Sequence, residues 1–120
     1  MDKFNSSDKL IFVNINKSFD AMKSNDTSSP HYRVNLKECT VKYWAVKDEK
    51  AFAATHILGC NKGKVIEVVK ISNVRLASPH EYPGRKIFEG SEEKESPYIG
   101  LDLHEVFNSL ANFHTKYWNL

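Results

Sequence analysis

Two cysteines, five glycines, four prolines and two methionines are all that this chain of 120 residues holds of those types. Cys39 and Cys60 share no Cys-x-x-Cys spacing, so neither a disulfide framework nor a zinc ribbon is expected, and both read as reduced thiols of a cytoplasmic protein. So little Gly and Pro excludes collagen-like and low-complexity chains. Long hydrophobic runs are missing too. The apolar stretches 10–15, 51–60 and 65–71 fall short of the roughly 20 residues that span a bilayer, so no membrane partner is expected. Residues 1–9 hold two Asp, two Ser and no apolar core, which excludes a secretory signal or an Arg-rich transit segment. A strong charge of one sign is also lacking. Seventeen Lys and Arg stand against fifteen Asp and Glu, a net +2, too little on its own to name a partner.

What is present points to one α+β domain over residues 1–120, with 1–8 flexible. Hydrophobic residues make up 41% and aromatics 12%, enough for a real core. The charge is also unevenly spread. Residues 1–32 carry four of each sign, residues 33–86 eleven basic and five acidic, and residues 87–120 two basic and six acidic.

Leu10-Ile-Phe-Val-Asn-Ile15 predicts a mostly buried strand. Asn16 and Ser18 are candidate caps of a short helix to Lys23, and 24–30 is turn chemistry throughout. Tyr32, Val34 and Leu36 alternate, as do Val41, Tyr43 and Ala45, which predicts two extended segments around Glu38. Asp48 to Thr55 reads as a two-turn helix with its acids at the N-terminus. His56–Cys60 and Lys64–Ile71 flank Asn61-Lys62-Gly63 and predict a hairpin with Gly63 in the left-handed conformation; its second strand should be interior. A loop over 78–84, a strand near 85–89 and a polar loop over 90–97 follow. Asp102 should cap a helix carrying Leu103, Val106, Phe107, Leu110 and Ala111, and 117–120 is a candidate last strand. Together these predict a small, strongly bent mixed sheet or open β-barrel with two to three short helices.

The chemistry-bearing residues form few motifs. His31, His56, His80, His104 and His114 show no metal-ligand spacing, so they read as scattered histidines; no metal and no cofactor is expected. Gly59 to Gly63 lacks the Lys and Ser/Thr of a phosphate loop. Glu67, alone in an apolar strand, reads as an outward carboxylate paired with Lys64 or Lys70. Only as a tuned acid beside a lysine would it be catalytic. The basic middle is more telling. It interleaves Arg33, Lys37, Lys42, Lys47, Lys50, Lys62, Lys64, Lys70, Arg75, Arg85 and Lys86 with Tyr32, Tyr43, Trp44, Phe52 and Tyr82. Cations for phosphates and aromatic faces for bases are the materials of nucleic-acid binding, although a solvated lysine-rich surface with Trp44 in the core has the same composition.

The run Tyr43-Trp44-Ala45-Val46, then Lys50-Ala51, Ile57-Leu58-Gly59, Lys62-Gly63-Lys64-Val65 and Glu67-Val68, resembles a pattern in small, mostly uncharacterised bacterial and phage domains. Leu10 to Ser18 is similar to their opening strand, and Lys86-Ile-Phe-Glu-Gly90 with Tyr98-Ile-Gly100 to their late strand and turn. The layout resembles the PUA-like superfamily, which includes the ASCH and EVE domains. Two positions depart from the pattern: Leu101 stands where a basic residue is usual, and Cys60 where an aromatic often follows. The resemblance implies a PUA-like barrel that binds RNA or DNA, in some members a modified or flipped base, in a cleft between barrel and helix. It places Asn14, Lys17 and Ser18 after the first strand, Trp44 on the second, Lys50 on the helix and Tyr98 in the late turn.

The leading reading is therefore a nucleic-acid-binding module rather than an enzyme. In it Trp44 stacks on or walls off a base, and Lys17, Lys50, Arg85 and Lys86 contact phosphates. One alternative is a phage or bacterial interaction or inhibitor module whose basic or acidic face engages a host protein. The third is an amidohydrolase-like enzyme on a modified nucleoside, using Lys17 and Glu67.

Overall fold

Leu10, Ile11, Phe12 and Val13 are all fully buried, which an unbroken apolar strand achieves only when both faces of its sheet are covered. The computed structural model, which describes residues 4–111 and 113–120, shows both covers. Strand β1 (Leu10–Asn14) sends Ile11 and Val13 to a core shared with three short helices, and Leu10 and Phe12 to a second core on the other face. The helices are α1 (Asn16–Lys23), α2 (Leu36–Val41) and α3 (Asp48–Ala53). They are followed by β2 (His56–Asn61), β3 (Lys64–Leu76), β4 (Lys86–Glu92), one 3-10 turn at Leu103–Glu105 and β5 (Thr115–Trp118).

The fold is α+β, with one open, mixed five-stranded sheet in the order β4-β3-β2-β1-β5. β1 and β2 are parallel across the helical crossover, and the other pairs are antiparallel. Register shifts at Gly59/Cys60 and between Ile71 and Asn73 bend the long strand β3, which is interior as its composition predicts. Gly63 adopts φ 79° in the β2–β3 turn. Among the described residues no helix is long and apolar enough to cross a membrane.

Helix α2 meets the sheet at Gly59. A Cβ there would overlap the Thr40 hydroxyl oxygen, so only a glycine lets this buried helix seat. Cys39 and Cys60 are both buried and free. Burial pushes the Cys39 thiol up to about 11 and raises that of Cys60 as well.

Four expectations are corrected. The segment around Glu38 is helical, not extended: the Asn35 side chain accepts the Glu38 N–H at 2.8 Å, and this cap outweighs the β-like alternation of its neighbours. Trp44 consequently touches the sheet through an isolated bridge to Lys86 instead of lying on a strand. Asp102 does cap, accepting the His104 N–H at 2.9 Å, but only one 3-10 turn follows. Ser109 Oγ accepts the Ala111 N–H, a local bond that competes with helix, while Val106, Phe107 and Leu110 still pack on the second core. Glu67 does not face outward to a lysine. The shift at Gly59/Cys60 places it opposite Gly59, and it is 3% exposed.

Of the 1–8 segment expected to be flexible, residues 1–3 lie outside the described residues. Phe4 stacks on Trp118 with ring centroids 4.5 Å apart, and the Asn5 N–H donates to the Tyr98 hydroxyl at 3.1 Å.

Candidate functional site

Helix α1 begins one residue after β1, and the residue at its cap position, Ile15, is a core side chain that cannot accept a hydrogen bond. Asn14 Oδ1 accepts the Asn16 N–H at 3.0 Å. The N–H groups of Lys17 and Ser18 are left without a partner among the described residues. Both residues line a cleft of about 390 Å³ whose other walls come from His31 and Arg33, the segment 42–44, Tyr82 and Arg85, and Phe113 and His114.

The lining is one-sided in charge. Lys17, Arg33, Lys42 and Arg85 contribute cations, and no carboxylate lines the cleft among the described residues. Of the four, Lys42 is neutralised by Glu38 at 2.6 Å. The uncharged polar groups are also mostly donors. Asn14 uses its whole amide internally, donating to the Phe113 carbonyl at 3.2 Å. The Asn16 carbonyl oxygen accepts the Lys62 N–H at 2.8 Å, which leaves the Asn16 NH2 over. Ser18 is 8% exposed and lines the cleft with a hydroxyl that has no partner among the described residues. A cavity rich in donors and poor in acceptors suits an anionic, acceptor-rich ligand.

Four side chains build an aromatic and cationic stack in this wall. Tyr43 and Tyr82 lie with centroids 5.6 Å apart at 28°. Arg33 sits over Tyr43 and Arg85 over Tyr82, each guanidinium carbon 4.9 Å from its ring centroid. The Tyr43 hydroxyl donates to Glu81 at 3.3 Å. Glu81 is held below the usual carboxylate range, first by the Ser78 N–H and also by the Tyr43 hydroxyl and Arg75. The 78–85 loop is thereby tied to the cleft.

Of the residues singled out from sequence, Asn14, Lys17, Ser18, Trp44 and Arg85 all line this one cleft, while Lys50, Lys86 and Tyr98 lie outside it. Lys50 covers the Tyr117 ring at 4.1 Å. Lys86 Nζ pairs with Asp48 at 2.9 Å and donates to the Val46 carbonyl, so its charge is used in holding α3 to β4. Tyr98 is buried in the opposite core, its hydroxyl donating to Asp8 at 2.6 Å. Trp44 is 9% exposed and donates its indole N–H to the Thr40 carbonyl at 2.7 Å. It forms a wall of the cleft with no open face for stacking, and the ring faces of Tyr43 and Tyr82 are covered by each other and by Arg33 and Arg85. The pairing of Lys17 with Glu67 does not form, because Glu67 is not in the lining. Glu67 is instead raised to about 7 by burial and by the adjacent Glu92 carboxyl, against the Val68 N–H and Lys94.

Sequence reading did not single out Arg33, Tyr43 and Tyr82 from the basic, aromatic middle, nor His31, Phe113 and His114 as neighbours. The one local signal was Tyr82-x-x-Arg85 inside a Pro/Gly loop. Among the described residues no group of three or more His, Cys, Asp or Glu could hold a metal. Compared with known protein families, curated proteins and solved structures, the chain matches none.

Proposed function

We propose that the chain binds single-stranded or unpaired nucleic acid, RNA or DNA, and holds one unstacked base in this cleft. The observation that carries the reading is the Arg33–Tyr43–Tyr82–Arg85 stack on the rim of a carboxylate-free cavity. The guanidinium planes that end this stack can take bases of any sequence, and the cations follow the backbone. The start of α1, with two unpartnered N–H groups beside Lys17, offers a seat for one phosphate. The resemblance to PUA-like domains implies the same class of ligand. A protein partner on the acidic face has less to support it, since Glu89, Glu93 and Asp102 are already engaged by Arg75, His56 and His104.

Fluorescence anisotropy of labelled single-stranded and duplex oligonucleotides at low ionic strength tests the reading. Binding to the single strand, weakened by salt and preferred over the duplex, is expected. Absence of binding to any RNA or DNA at low salt rejects it.

A further inference from the structure

The cleft contains two groups that binding alone does not require. The His56 ring is flanked by Thr55 Oγ1 at 2.7 Å and Glu93 at 3.0 Å, and the His104 ring by Asp102 at 2.9 Å. The rings of His31 and His114 have no partner among the described residues, and both line the cleft. One comes from the α1–α2 connection and the other from the residue before β5, so the fold and not the sequence brings them to one cavity. Imidazole is the side chain that both takes and gives a proton near neutral pH. With no carboxylate in the lining, neither ring is committed to an ion pair.

We propose that the cleft cleaves single-stranded RNA by metal-independent transphosphorylation, with His31 and His114 sharing the general-base and general-acid roles; this rests on the nucleic-acid reading. One imidazole takes the proton of a 2′-hydroxyl as O2′ bonds to the neighbouring phosphorus. The other, protonated, gives its proton to O5′ as the P–O5′ bond breaks. The products are a 2′,3′-cyclic phosphate and a 5′-hydroxyl. No water, metal or redox partner is consumed, and exchange with solvent restores the two protonation states. Lys17, the unpartnered N–H groups of Lys17 and Ser18, and Arg33 meet the charge that grows on the non-bridging oxygens. A DNA strand lacks the attacking hydroxyl, so it occupies the same cleft uncut.

The test uses the full chain, an end-labelled single-stranded RNA and the all-deoxy strand of the same sequence, with EDTA present throughout. Cleavage of the RNA alone, to fragments ending in 2′,3′-cyclic phosphate, is expected. His31→Ala and His114→Ala should each slow cleavage by about 100-fold or more, while anisotropy shows the uncut all-deoxy strand still bound by both variants. RNA that is bound but never cut overturns the proposal and leaves the binding reading intact, as does cutting that both variants retain or that yields 5′-phosphates. Failure to bind the RNA overturns the proposal, and failure to bind the RNA and the all-deoxy strand alike overturns both.

Discussion

Tyr82 is 41% exposed and yet ordered by Tyr43 on one side and Arg85 on the other, which separates its role from that of Trp44. Tyr82→Ala removes a surface ring and with it the platform under Arg85, so the fold should hold while single-strand affinity falls by about 1–3 kcal/mol, read by anisotropy. Trp44→Ala should instead cost about 3–5 kcal/mol of stability, read by urea denaturation, because the indole is a core side chain with its N–H bonded inside. Unchanged affinity in the first variant would remove the stacking role. Glu67 gives a pH dependence. Its carboxyl is raised to about 7, so the folded state holds the proton more tightly than the unfolded chain. Stability should therefore fall as pH rises from about 4.5 to about 7 and then level off. Glu67→Gln should match wild type near pH 4 and exceed it at pH 8 by on the order of 1–3 kcal/mol; parallel pH profiles for the two proteins would contradict this. At this scale the sequence disclosed residue types better than neighbours. Lys17 and Arg85 could be named because they stand beside element ends, whereas Lys86 and Lys50 look identical to them until Asp48 and Tyr117 are seen to occupy their charges.

At the scale of elements, the seat of α2 decides the shape of the cleft, since Arg33 precedes this helix and Lys42 to Trp44 follow it. Gly59→Ala drives a methyl into Thr40 and should destabilise by about 1–3 kcal/mol. Adding Thr40→Ala makes room, so the double variant should be more stable than the sum of the two single changes implies, by at least about 0.5 kcal/mol. Denaturation of the four proteins measures this, and strict additivity would place the strain elsewhere. The β2–β3 hairpin was legible because turn residue and strand pattern agree. Two other elements were not: the Asn35 cap turned an alternating segment into α2, and the 103–111 stripe forms one 3-10 turn, with the Ala111 N–H taken locally by Ser109 and not by a helix carbonyl. The burial of Glu67 was hidden for a different reason, because a bulge in the pairing exchanges the faces of a strand without any mark in the residues themselves.

For the whole molecule, the net +2 matters less than the concentration of unpaired cations in one cavity. Lys17, Arg33 and Arg85 line the cleft with no carboxylate partner among the described residues. The logarithm of the single-strand affinity should fall with log salt by about 0.7 per phosphate engaged. Arg85→Ala should reduce that slope by about 0.7, whereas Lys50→Ala should leave it unchanged. Equal slopes in all three proteins would move the interface to another face.

The position of β1 between β2 and β5 reaches beyond architecture. Leu10 pairs with Trp118, so a loop of about 100 residues must close before this edge forms, a slow event for chain entropy. Until it closes, Phe113 and His114 are not beside Asn14, and the cleft lacks a wall. Completion of the cleft therefore depends on a pairing between the two ends of the chain. Any ligand that touched both walls would act as a latch on that pairing, because the pairing could not reopen without breaking the ligand's contacts.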